Sequence, residues 1–180
     1  MKASLKSIAI LLGCAVVAAL SASCSKVPDT VEPGHPVSVV TEYSVSVNDE
    51  MLEALVVTVE YYDGDGRRKT ETLTGPWTKT IESQLPAEVG ARVFFAVKDS
   101  FDASVSEIIH LAYGMEISGD LVNSDGTKRE EVLHYTHADT KTIKTDRLAE
   151  WVGYYAGNGV FSARYQITDS GAWFTSLPWE

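Results

Sequence analysis

Two runs of β-branched, aromatic and polar residues, Leu55–Tyr62 and Arg67–Leu73, stand on either side of Asp63-Gly64-Asp65-Gly66. Asp-Gly accepts the positive φ that a tight hairpin turn demands, so the chain is committed here to an antiparallel strand pair. The arrangement returns at Asn123-Ser124-Asp125-Gly126, between Met115–Val122 and Arg129–Tyr135. Upstream, Val37, Val39, Tyr43, Val45 and Val47 occupy odd positions, the period of a half-buried strand. Arg92–Lys98, Ser106–Tyr113, Trp151–Tyr155, Gly159–Thr168 and Gly171–Thr175 read as further strands. Helix signals are confined to Met51-Leu52-Glu53 and to Asp146–Trp151, with Thr145 or Asp146 as cap. Many short strands divided by Gly/Asp turns predict one all-β domain over residues 37–180. The expected form is an Ig-like or fibronectin-like antiparallel β-sandwich with extra C-terminal strands; a lipocalin-like barrel is the alternative.

The first 24 residues have a different character. Lys2 and Lys6 precede an apolar run, Ile8–Leu20, which gives way to Ser21-Ala22-Ser23-Cys24. That order of positive, apolar and small residues is the layout of a secretory signal. The run is shorter than the ~20 residues a bilayer core requires, so it reads as a segment to be removed. Leu20-Ser21-Ala22-Ser23-Cys24 resembles the lipobox of bacterial lipoproteins of the Bacteroidetes type. The resemblance implies acylation of the Cys24 sulfur and cleavage after Ser23. Leu11-Leu12-Gly13-Cys14 fits the −3 and −1 positions better, but Ala15–Leu20 beyond it is still apolar. Residues 25–36, with three Pro and one Gly, form an extended tether. The expected organisation is therefore a signal peptide over 1–23, a lipidated Cys24 with its tether over 24–36, and the β domain.

A second resemblance lies inside the domain. Val59–Gly66, then Leu73-Thr74-Gly75-Pro76-Trp77-Thr78-Lys79-Thr80, then Val93–Val97 are similar to the MmpS-type domain. The likeness spans about residues 54–114. It implies a small, membrane-anchored, Ig-like sandwich outside the cytoplasm, some relatives of which assist exporters. The chain departs from the mycobacterial members in lacking their Cys pair and in its extra C-terminal residues. Pro76 has no amide to give a ladder and so marks a strand start, while Trp77 is expected to pack across the two sheets.

Little else carries chemistry. Fifteen Lys+Arg against 25 Asp+Glu exclude a phosphate-tracking surface, so no nucleic-acid partner is expected. His134, His137 and Asp139 are the nearest approach to a metal set, but residues three apart on a strand leave opposite faces. A calcium loop begun at Asp63 meets Arg67 and Thr74 where acids belong. No Gly-x-Ser-x-Gly elbow or phosphate loop is present, so no catalytic residue, metal or cofactor is assigned. What remains is a crowd of aromatics: Trp151, Tyr154, Tyr155, Tyr165, Trp173, Phe174 and Trp179. Core packing explains such a crowd; the alternative is an exposed platform for sugar rings or a partner. Trp173, Phe174 and Trp179 are the candidate binding aromatics, with Trp179, beyond Pro178, the foremost for exposure. The expected protein is a cell-envelope lipoprotein, held on the outer membrane by Cys24 and acting as a non-enzymatic binding or accessory module for a protein or glycan. A carbohydrate-active hydrolase and a hydrophobic-ligand carrier are the alternatives.

Overall fold

The computed structural model describes residues 34–157, 159–169, 175, 176 and 179. In chain order the elements are β1 (Pro36–Val47), α1 (Asp49–Ala54), β2 (Leu55–Tyr62), β3 (Arg68–Leu73), β4 (Trp77–Gln84), β5 (Ala87–Val97), β6 (Ile108–Asn123), β7 (Lys128–Lys144), a 3₁₀ turn (Thr145–Arg147), α2 (Leu148–Tyr154), β8 (Phe161–Ile167) and β9 (Thr175–Ser176). They build two antiparallel sheets, ordered β4-β1-β6-β7 and β3-β2-β5-β8-β9. Two open sheets make a sandwich and not a closed barrel. β1 to β5 follow the B-C-C′-E-F path of an Ig-like sandwich, and β8 lies where strand G belongs. The place of strand A, beside β1, is filled by β6 from later in the chain.

Both Asp-Gly turns form as hairpins, with Gly66 at φ 72° and Gly126 at φ 82°. Asp63 Oδ1 accepts the amides of Asp65 (3.0 Å) and Arg67 (2.9 Å), and Asp125 Oδ1 accepts that of Thr127 (2.9 Å). Each Asp thus closes its own turn. In β1 the alternation buries Val39, Tyr43, Val45 and Val47. Tyr43 reaches from β1 to the opposite sheet, where its hydroxyl accepts the Gly90 amide (3.2 Å) and lies 3.4 Å from the Tyr62 carbonyl. Burial raises its pKa and keeps it neutral.

The sandwich is closed along one side by four residues. Glu71 on β3 accepts the hydroxyl of Tyr61 (2.5 Å), the indole N–H of Trp77 (2.8 Å) and the ammonium of Lys79 (2.6 Å). β3 and β4 are edge strands of different sheets, so this carboxylate clasps the two layers together. Trp77 packs on Tyr61 at 5.3 Å, the cross-sheet packing expected of it. On the other side α2 lays Trp151 against Phe95 of β5 (5.8 Å) and Tyr113 of β6 (5.9 Å).

Several segments differ from the sequence reading. Trp151–Tyr155 is not a strand: residues 148–154 are helical, placing Leu148 in the core and Trp151 on the sheets. The expected strands Ser106–Tyr113 and Met115–Val122 merge into one, β6, which starts at Ile108 and runs through Gly114. A side chain there would meet Ser46 Oγ at 3.0 Å and the Ala138 side chain at 3.3 Å, so the glycine serves packing rather than a break. β7 runs on to Lys144. Between Arg129 and Leu133 it bulges opposite Asp120, whose carboxylate accepts the Glu131 amide (3.0 Å) with Glu131 at φ 51°. Cys24, the tether up to Pro33, Trp173 and Phe174 lie outside the described residues.

Candidate binding surface at one end of the sandwich

The strand directions sort the connections to two ends. β1 begins at Pro36 beside Asn123, and the Gly34 amide donates to Asp125 (3.0 Å) while the Ser124 amide donates to the His35 carbonyl (2.8 Å). The chain therefore enters the domain at the Asn123–Lys128 turn. Gly64 lies at this end too, against the carbonyl of Glu82 on β4. α1, residues 98–107, the start of β6 and the 3₁₀ turn gather at the opposite end, about 36 Å away along β1 at ~3.3 Å per residue.

The far end is built by local hydrogen bonds. Asn48 caps α1: its side-chain oxygen lies 3.4 Å from the Met51 amide and 3.2 Å from that of Ala112, and its Nδ2 donates to the His110 carbonyl (2.8 Å). Residues 98–107 leave β5 with the Lys98 amide on the Ala54 carbonyl (2.9 Å) and the Lys98 ammonium on that of Leu52. Asp102 accepts both the amide (2.9 Å) and hydroxyl (2.7 Å) of Ser104, which draws its pKa down. The nearly buried Thr145 hydroxyl faces two loop carbonyls, Ser106 at 2.6 Å and Ala103 at 3.0 Å. The loop is thereby pinned to the 3₁₀ turn.

These supports hold up an apolar ridge. Among the described residues the large hydrophobic side chains that stand exposed are Val105 (82%), Ile108 (44%) and Tyr154 (83%), all at this end. A cleft of about 310 Å³ runs along one flank, lined by Phe101, Val105, Ile108 and Ile109 with Glu50, Glu53, Asp102 and His110 at its polar margin. A second, of about 450 Å³, lies across Ser106–Ile108 and reaches Lys144 and Asp146. Glu50 is tied to His110, accepting its amide at 2.7 Å with the ring Nδ1 at 3.5 Å. Among the described residues Glu53 and Asp102 form no ion pair, so their charge is left over the apolar floor.

Trp179, the one candidate binding aromatic among the described residues, falls elsewhere. Trp179 is not free in solvent: half-buried, it stacks on Tyr62 (5.4 Å, 25°) with the Arg92 guanidinium 4.7 Å from its ring. It covers the outer face of β2 and β5, where Arg92 pairs with Glu60 (3.0 Å). Tyr154 is the exposed member of the C-terminal aromatics described, edge-on to Tyr155 at 5.0 Å. On β7, His137 lies over Phe161 (4.6 Å) and Asp139 pairs with Lys141 (2.9 Å). Among the described residues no three metal-ligating side chains converge. Phe101 and Val105 carry no site signal in the sequence, where Phe101, Ala103 and Val105 merely alternate with polar residues in Asp99–Ser106, and Ile108 reads only as part of the strand Ser106–Tyr113.

A general acid needs a carboxyl held above its usual range. Every carboxyl group whose ionisation is clearly displaced among the described residues, Asp63, Glu71, Asp102, Asp125 and Asp139, is displaced downward by hydrogen bonds or cations. No protein-family model matches the chain, and no curated protein is significantly similar to it in sequence.

Proposed function

We infer that the protein is a lipid-anchored cell-envelope module that binds a protein or glycan partner without catalysing a reaction. Its Cys24 is acylated and holds it on the outer membrane, and its working face is the end that carries Val105, Ile108 and Tyr154. The observation that carries this reading is the polarity of the sandwich. The chain enters at the Asn123–Lys128 turn, and the exposed apolar side chains gather at the opposite end. A module tethered through residue 34 presents that end to partners away from its support. Several acyl chains hold such a protein almost irreversibly, at ~0.8 kcal/mol per buried CH₂, so the fold is left to recognition alone. The packed apolar core between the two open sheets supports it over carriage of a ligand. The motif residues that resemble the MmpS-type domain, Tyr61, Trp77 and Lys79, serve the clasp around Glu71, so the likeness supports a shared way of closing a sandwich.

Two measurements test it. Cys24→Ala moves the protein from the membrane pellet to the soluble fraction; continued sedimentation in high salt refutes the anchor. A photoreactive side chain at position 105 crosslinks an envelope component, whereas one at Asp65, in the turn at the entry end, does not. Equal labelling from both positions, or none from 105, refutes the working face.

A further inference from the structure

We propose that the cleft between α1 and Val105–Ile109 takes a short cationic, apolar segment of a partner protein, in which Lys or Arg neighbours a branched aliphatic residue. This deepens the reading above and rests on it. The floor is aliphatic and aromatic, made by Phe101, Val105, Ile108 and Ile109, and it is open enough for side chains to enter from solvent. The margin is negative. Glu50, Glu53 and Asp102 line it, Asp49, Asp99 and Glu107 flank it in the chain, and Glu53 and Asp102 form no ion pair among the described residues. Lys98 beside it has turned its ammonium to the Leu52 carbonyl, and His110 is bound up with Glu50. An apolar floor under uncompensated carboxylates selects a ligand that brings both an aliphatic side chain and a cation.

The same charge decides against other occupants. A second copy of this chain, with 25 Asp+Glu against 15 Lys+Arg, sets acid against acid. An anionic lipid surface is repelled for the same reason. A sugar ring calls for a flat aromatic face, and the lining here is aliphatic apart from the half-buried Phe101. Position favours a protein as well: the ridge Ser106–Ile108 separates two clefts, so an extended segment laid across it meets both.

The test uses the full-length protein in non-ionic detergent and a fluorescein-labelled octapeptide of alternating Lys and Leu, read by anisotropy. Octapeptides of alternating Glu-Leu and Lys-Gly are the controls. The expected result is binding of Lys-Leu at least about tenfold tighter than either control. Val105→Asp, which alters only an exposed side chain, weakens it about tenfold or more, and Glu53→Gln weakens it several-fold while flattening its salt dependence. Equal binding of Glu-Leu and Lys-Leu overturns the proposal, as do binding that ignores both variants and absence of binding. Adsorption of the protein to vesicles of phosphatidylglycerol through Val105 overturns it in favour of a membrane. Crosslinking from position 105 separates the two levels. If it persists and excess Lys-Leu peptide does not compete, the cationic segment is wrong and the working face stands; if it is absent, the working face itself fails.

Discussion

Replacing Glu71 by Gln probes the clasp between the two sheets. The substitution keeps the shape of the side chain and removes the charge that receives Tyr61, Trp77 and Lys79. Those three donors, the Lys79 ammonium foremost, hold the carboxyl at about 2 against an ordinary 4.5. A pKa depressed on folding stabilises the native state wherever the unfolded group is ionised, and the benefit disappears as pH falls through the folded value. Taken at face value the difference corresponds to about 3.4 kcal/mol, at ~1.4 kcal/mol per pH unit. The Glu71 side chain is 37% exposed, however, and solvent screens it, so about 1–1.5 kcal/mol is expected at pH 7. The raised pKa of Lys79 reports the same contact from the other partner and adds nothing to that figure. For a domain of this size the change is a loss of about 3–6 °C in melting temperature. Urea unfolding of wild type and Glu71→Gln from pH 7 to pH 2 measures it. The gap holds above about pH 4.5 and closes toward pH 2. A gap that is absent at pH 7, or that stays constant into acid, refutes the account of Glu71 as an ionised clasp.

Two further outcomes follow from described contacts. Thr145→Val removes the hydroxyl that meets the Ser106 and Ala103 carbonyls. Hydrogen exchange of amides 102–107 then speeds up about 5–30-fold, the equivalent of ~1–2 kcal/mol, whereas Thr145→Ser leaves it near wild type. Trp179→Ala removes the stack on Tyr62 and the contact with Arg92, and lowers stability by about 1–2 kcal/mol in urea unfolding. An unchanged midpoint refutes Trp179 as a packing residue and returns it to the exposed aromatics.

The sequence made the sandwich legible because turn chemistry is local. Asp63-Gly64-Asp65-Gly66 and Asn123-Ser124-Asp125-Gly126 each contain the acceptor and the glycine that close a hairpin, with no help from distant residues. Strand ends were less legible where tertiary contacts decide them. Residues 136–144 of β7 are mostly polar because they form an edge, and only pairing with β6 makes them a strand. Ala87–Ala91 contains Glu88 and Gly90, yet belongs to β5 because it is held between β2 and β8. Trp151–Tyr155 has strand composition and becomes helix because a helix delivers Trp151 to Phe95 and Tyr113. The candidate cleft was illegible for the same reason. Glu50, Phe101, Val105 and Ile109 come from α1, the loop after β5 and the start of β6, and only the packing of the two sheets brings them together.

The position of β1 has a mechanical consequence. It lies inside its sheet, between β4 and β6, and runs from the point of chain entry toward the far-end face. A pull applied between residue 34 and the 98–107 loop is therefore directed along the strands. The backbone bonds flanking β1 share that load in shear, all at once, instead of parting singly as they do when a hairpin is unzipped. The domain is oriented to bear tension along β1, from the point of chain entry to the opposite end.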